Sequence, residues 1–241
     1  MISVSVVGAT GRMGQLALEL IDADANLKLH SALNSSSSLD QMLGADVVID
    51  FTLPEVSPTV VEFAISSGMK VVVGTSGWSE LKLMEVKKLL SVNPEAAAVV
   101  IPNFSIGSML GTQFAAMAAK YFDQVEIIEA HHAGKVDSPS GTAVRTAEQI
   151  AHARQGLPSR LIPGVDQAAR GEVIAGVPIH SVRLAGISAK QDVVFGASDE
   201  TLTISHNVLT HRAYSNGIRL ALEFAVGAKG LTIGLDQVVN S

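Results

Sequence analysis

The chain has 241 residues, 47% of them hydrophobic, enough for one large core or two modest ones; with no cysteine it has no disulfide framework, thiolate nucleophile or cysteine zinc site. Seventeen lysines and arginines against 23 aspartates and glutamates give a net charge of -6, and aromatics are only 4%, which excludes the basic, stacking surface of a nucleic-acid binder. No apolar run reaches membrane-spanning length and no secretory signal pattern opens the chain, so the expectation is a cytoplasmic protein with no membrane partner.

Ile2 to Val7 is a short β-branched run, Gly8-Ala9-Thr10-Gly11-Arg12-Met13-Gly14 is a glycine turn, and Met13, Leu16, Ala17, Leu20 and Ile21 recur at helical spacing. Gly8, Gly11 and Gly14 stand three apart. Gly8 suits the tight turn, Gly11 lets backbone approach a pyrophosphate, and Gly14 lets the helix lie close to the strand. Any tight strand-to-helix turn needs glycine, but this one follows a strand and opens an apolar-striped helix, which predicts dinucleotide binding. At the end of the second strand, Leu27 to Leu33, the usual ribose-binding acid is replaced by Asn34, followed by Ser35 to Ser38. Without a carboxylate nothing repels a 2′-phosphate, and Asn34, Ser35 and Arg12 can donate to one; NADPH is favoured slightly, with NADH open.

Asp46 to Phe51, Val71 to Gly74 and Ala97 to Ile101 read as further strands, with helices over 55–67 and, capped by Ser79, over 81–90. Alternation of this kind implies parallel β-α-β units. Thr52, Gly74-Thr75-Ser76-Gly77 and Pro102-Asn103-Phe104-Ser105 fall just past strand carboxyl ends, where an open α/β sheet binds its ligand. The last loop is expected to act through backbone and Asn103, since Phe104 is equally suited to a core.

From Ile106 the pattern changes. A helix over 110–121, a strand over 125–129 and a helix over 142–154 precede strands over 178–184, 191–195 and 201–206 with no helices between. Such a run predicts a largely antiparallel or mixed sheet in a second, α+β domain. Residues 155–176 read as an exposed excursion, while a helix over 214–226 and a strand over 231–235 return to the first domain. The expected organisation is a Rossmann-like, doubly wound parallel domain of residues 1–104 and 212–241, with a substrate domain of residues 105–211.

The densest chemistry lies between Glu129 and Thr142, where His131, His132 and Lys135 fall within five positions. On an extended backbone the two imidazoles point to opposite faces and take different tasks. Ser138-Pro139-Ser140-Gly141-Thr142 then opens a helix, a collecting point for free N–H groups and hence an anion site. A strand end with solvated histidines and an N-capped helix is the plainer reading for any one of these residues, and it accounts poorly for the cluster.

With these motifs in hand, the sequence resembles the dihydrodipicolinate reductase family, also called the 4-hydroxy-tetrahydrodipicolinate reductases. The resemblance covers nearly the whole chain; its most specific string is Glu-x-His-His-x-x-Lys-x-Asp-x-Pro-Ser-Gly-Thr-Ala from Glu129 to Ala143. It implies an enzyme of the diaminopimelate route to lysine that reduces a cyclic dicarboxylate with NADH or NADPH, typically a homotetramer joined through the sheets of its second domain. Carried over, His131 is the general acid or base, Lys135 the proton donor, His132 a substrate contact, and Ser140, Gly141 and Thr142 the carboxylate-binding helix start. Gly8, Ala9, Thr10, Gly11, Arg12, Met13, Gly74, Thr75, Ser76, Ile101, Pro102, Asn103 and Phe104 make the cofactor loops, with Asn34 beside the ribose. Ser76 stands where the family usually has a second threonine, and Asn34 where many members have an acid. No metal is implied. Closure about the crossings near Phe104 and Arg212 is expected to bring nicotinamide to substrate. A semialdehyde dehydrogenase would use the same first domain but not Ser140 to Thr142 beside histidines; a dinucleotide sensor without turnover is the other reading.

Overall fold

The computed structural model describes residues 1–157, 164 and 166–240. In chain order the elements are β1 (Ile2–Val7), α1 (Arg12–Ala23), β2 (Leu27–Leu33), β3 (Val47–Asp50), α2 (Ser57–Ser66), β4 (Lys70–Val73), α3 (Glu80–Val92), β5 (Ala97–Val100), α4 (Ile106–Ala118), β6 (Gln124–His131), α5 (Gly141–Ala153), β7 (Glu172–Ile174), β8 (Val177–Arg183), β9 (Ala189–Gly196), β10 (Thr201–Val208), α6 (Ser215–Gly227), β11 (Gly230–Ile233) and α7 (Leu235–Val239). They fall into two compact units, Met1–Ile106 with His211–Ser241, and Gly107–Thr210.

The first unit holds a six-stranded sheet in the order β11-β5-β4-β3-β1-β2, parallel throughout. Its strands are short apolar runs because helices cover both faces. Val7, Val48, Val71, Val73, Ala98 and Val100 pack on one face with Val60, Val61, Ala64 and Ile65 of α2 and Val86 and Leu90 of α3. The alternate strand residues, among them Val4, Val6, Ile49, Val72 and Val99, are equally buried, on the side that α1 and α6 cover. Strand order reverses direction between β1 and β3, so the loops after these strands flank the crevice where doubly wound sheets bind ligands.

The second unit holds a five-stranded mixed sheet, β10-β9-β6-β8-β7. Among the described residues only β6 and β8 pair in parallel in this sheet, joined by a crossover that includes α5; the other pairs are antiparallel. One face is covered: Ala115 and Ala119 on the α4 side and Ala143, Ala147 and Ile150 of α5 pack on Val125, Ile127, Val177, Ile179, Val193 and Phe195. Alternation turns Ile128 and Val182 the other way, where they are 42% and 41% exposed. Part of the expected excursion over 155–176, residues 158–163 and 165, lies outside the described residues; its far end forms β7, paired to β8 through a turn at Ala175 and Gly176 with both φ positive.

Candidate active site

In the first unit, the three glycines after β1 differ in what they need. Gly8 has φ +82°, and a Cβ there would lie 2.5 Å from the Phe51 carbonyl oxygen; a Cβ on Gly14 would lie 2.2 Å from that of Gly8. Both are demanded by the fold. Gly11 has φ −75°, and the nearest neighbour of a Cβ there would be 3.4 Å away, so nothing among the described residues requires glycine there. As the N-cap of α1 it supplies no side-chain acceptor, and no acid lies in the first turn, leaving helix-start N–H groups for an external anion. A bare, uncrowded backbone before an uncapped helix fits a dinucleotide pyrophosphate. Thr10, Gly11 and Arg12 are exposed, Met13 is half-buried, and buried Ala9 accepts Gln15 Nε2 at 2.7 Å on its carbonyl.

The loops after β3, β4 and β5 are cross-braced. Buried Asp50 accepts the Thr52 N–H at 2.9 Å and hydroxyl at 2.6 Å, and also the Ser57 hydroxyl. Thr75, buried, directs its hydroxyl at the carbonyls of Asp50 and Thr52. A Cβ on Gly74 would lie 2.2 Å from the Phe51 ring and 2.8 Å from that of Phe104. These rings meet edge-on at 5.7 Å, and Phe104 is core. Ile101 is buried too, donating its N–H to Val73, so Ile101 and Phe104 can offer a ligand only backbone. Asn103 folds its side-chain oxygen onto the Ser105 N–H at 2.9 Å; Ser76 and Pro102 are exposed.

At Asn34 the side-chain orientation is fixed by donors. Its Oδ1 accepts the Ser36 N–H at 2.9 Å and the Ser36 and Ser37 hydroxyls, which leaves the exposed amide nitrogen as an outward donor.

In the second unit, β6 presents Glu129 and His131 on one face, because they are two apart on a strand. Parallel register sets Arg183 of β8 opposite His131. Glu129, fully buried, accepts His131 Nδ1 at 2.6 Å, both terminal nitrogens of Arg183 at 2.9 Å, and the Ser140 N–H at 3.1 Å. Arg183 Nη2 also donates to the Asp137 carbonyl at 2.6 Å. Burial pushes the Glu129 carboxyl up, but hydrogen bonds from Arg183, Ser181 and His131 together hold it below the ordinary range. Burial lowers His131; the opposing pull of Glu129 does not restore it, and Lys135 and Arg183 lower it further.

Lys135 places Nζ 2.8 Å from both carboxylate oxygens of Asp137, whose carboxyl is held down mainly by that contact. His132 lies just beyond the strand and is exposed, its carbonyl accepting the Lys135 N–H at 3.0 Å. Ser140 is 2% exposed and caps α5 by accepting the Ala143 N–H at 3.3 Å, so its polar atoms are engaged within the chain. Gly141 has open space around it and Thr142 is half-buried. The structure thus brings His131, Lys135 and the α5 start onto one side of the sheet. Sequence reasoning quoted Glu129 without a role and missed Arg183; the two-residue spacing could have flagged Glu129, but no local signal marks Arg183.

Among the described residues there is no group of three or more His, Cys, Asp or Glu side chains able to hold a metal, and no helix long and apolar enough to cross a membrane.

Comparison with known proteins gives concordant results. Residues 2–104 match the family described as dihydrodipicolinate reductase, N-terminus, and residues 107–239 the one described as dihydrodipicolinate reductase, C-terminus. A protein of Clavibacter sepedonicus named 4-hydroxy-tetrahydrodipicolinate reductase is 50% identical over 238 residues, 99% of this chain and 86% of its own. One of Mycolicibacterium vanbaalenii with the same name is 42% identical over 98% of both chains. The dipicolinate-bound dihydrodipicolinate reductase of Paenisporosarcina sp. TG-14 superposes with a TM-score of 0.83 at 32% identity, covering 98% of this chain and 99% of that one. An amine dehydrogenase from Mycobacterium smegmatis, at 10% identity and a TM-score of 0.66, shares the fold alone.

Proposed function

Because the chain belongs to the dihydrodipicolinate reductase family, we propose that its two units divide the work, the first holding the dinucleotide and the second the substrate and the acid-base groups. The reaction is the reduction of 4-hydroxy-tetrahydrodipicolinate, a cyclic dicarboxylate, to tetrahydrodipicolinate with NADH or NADPH, in the diaminopimelate route to lysine. Going from the hydroxy ring to the product takes a hydride and a proton and releases the hydroxyl as water. The bound nicotinamide supplies the hydride. Everything else falls to side chains and backbone.

Backbone at Gly8, Gly11, Arg12 and Met13 receives the pyrophosphate, Asn34 faces the adenosine ribose, and the Gly74 to Ser76 and Ile101 to Phe104 loops line the nicotinamide end. The N–H groups of Gly141 and Thr142 at the start of α5 receive one substrate carboxylate, helped by the partial positive charge there. His132 and Lys135 hold the remaining polar groups. His131 and Lys135 manage the proton, the imidazole because it can both take up and release one and the ammonium because it is both donor and counter-charge to a dianion. The observation that carries this assignment is the His131 ring fastened through Nδ1 to a buried carboxylate, with Nε2 engaged by no described residue.

Purified protein mixed with enzymatically generated substrate and either cofactor should consume the nicotinamide absorbance; no oxidation with either would favour a sensor. His131→Gln should lower kcat by ~100-fold or more, the usual scale of acid-base catalysis, and leave cofactor Kd nearly unchanged. An equal loss in both would contradict the assignment.

We further propose a cytoplasmic homotetramer, assembled through the uncovered face of the second sheet. Ile128 and Val182 are exposed in the adjacent central strands β6 and β8, and an apolar patch in mid-sheet suits a second copy of the same face. Sedimentation should give four times the chain mass, falling on Ile128→Lys; a wild-type monomer would refute it.

A further inference from the structure

The proton chemistry assigned to His131 leaves Glu129 and Arg183 without a task, although they are the charged groups that touch or face it. We propose that Glu129 and Arg183 are positioning residues for His131: Glu129 fixes the ring as the Nδ1–H tautomer, and Arg183 cancels enough carboxylate charge to keep that ring neutral until the anionic substrate arrives. The inference rests on His131 being the acid-base group.

A carboxylate can only accept, so at 2.6 Å from Glu129 Oε2 the proton must sit on Nδ1. That leaves the lone pair on Nε2, the atom through which a proton then comes and goes. Glu129 Oε1 takes the Ser140 N–H, so one carboxylate sets both the ring and the start of α5. Arg183 grips both oxygens of Glu129 and reaches the carbonyl of Asp137, tying β6 to the loop that carries Lys135. A carboxylate alone beside an imidazole would favour the imidazolium. Here its charge is shared with a guanidinium, and burial disfavours the cation as well.

The charges bearing on His131 are Glu129 on its own strand, Arg183 on β8 and Lys135 in the following loop. Asp137 pairs with Lys135. Antiparallel β9 sets neutral Ala189 opposite His131 and Gln191 opposite Glu129, and the N-cap of α5 contributes Ser140. A neutral ring in the free enzyme is one that a dianion can charge on binding, which couples proton uptake to substrate.

A purely architectural pair joining β6 to β8 would affect folding but would not steer the ring, and titration separates the two. In the full-length protein, nitrogen NMR of the His131 ring should show the proton on Nδ1 in the neutral form; finding it on Nε2 would overturn the proposal whatever the variants do. Arg183→Met should raise the His131 midpoint by about one unit or more, the usual effect of a freed neighbouring charge. Glu129→Gln should lower it. The acid limb of the kcat/KM profile should move in the same directions. Arg183→Lys keeps the charge without the two-pronged contact and should titrate near wild type, even if Arg183→Met does not fold. Midpoints that move together, or not at all in folded variants, would leave only architecture. Since the ring titration needs no turnover, it stands apart from the test of catalysis: full activity in His131→Gln would sink the catalytic reading without touching this geometry.

Discussion

At the scale of single residues, the chemistry is set by which hydrogen-bonding groups the fold uses up and which it leaves. Asn34 spends its oxygen on its own turn and keeps its amide nitrogen facing out. In Asn34→Asp one carboxylate oxygen can still accept the Ser36 N–H, so the turn survives while the outward atom changes from donor to anion. NADPH should then lose on the order of a kcal/mol or two of affinity, one hydrogen bond's worth, and the NADH to NADPH ratio of kcat/KM should rise. An unchanged ratio would mean that Asn34 is not at the ribose. Asn34 is visible in the sequence as a departure from the usual acid; which way its amide points is not, because that depends on Ser36 and Ser37 folding back on it. Arg183 was invisible for another reason. It meets Glu129 across 54 positions of chain, through a parallel pairing that no nearby residue announces.

At the scale of elements, local chemistry is readable and long-range pairing is not. Ser79 and Ser140 announce α3 and α5 because a cap needs only a hydroxyl and an N–H a turn away. Short apolar runs give the parallel strands of the first unit, since strands buried on both faces must be apolar throughout. The short β7 escaped notice: three residues carry little periodicity, and its turn uses a non-glycine residue, Ala175, at φ +49°. The parallel β6–β8 pair inside a run of strands is likewise decided by the crossover and not by composition. The start of α5 offers a test at this scale. Gly141 has a negative φ and open space where a Cβ would sit, so Gly141→Ala should raise unfolding stability by roughly 0.4–1 kcal/mol while filling the space before the helix N–H groups. Ser140→Ala should do the reverse, losing about 1 kcal/mol with its cap. Chemical denaturation and substrate KM measured together decide it. Gly141→Ala with an unchanged KM would show that no carboxylate docks there.

At the scale of the whole molecule, the two units carry different loads of shifted charge. His131 and His206, both lowered chiefly by burial, belong to residues 107–210, as do Glu126, Glu129, Asp137 and Asp192, all held below the ordinary carboxylate range. The other unit contributes Asp46, held down by Ser3, and Tyr214, pushed up by burial and so outside the acid range. A histidine lowered in the fold lets the unfolded chain bind protons first, so stability falls as pH drops through about 6.5 toward the folded value. The carboxylates stabilise the fold above their unfolded pKa values, and their contribution goes as pH drops through their lower folded ones. Acid should therefore weaken the second unit in two stages, first through the histidines as pH falls below their unfolded value of about 6.5, then through the carboxylates below pH ~4.5. Amide hydrogen exchange, corrected for its intrinsic pH dependence, should show protection fading in β6, β8, β9 and β10 while β1, β3 and β4 still hold theirs. Simultaneous loss in both sheets would mean that the shifted groups of the second unit do not govern its stability, and that the two units unfold as one.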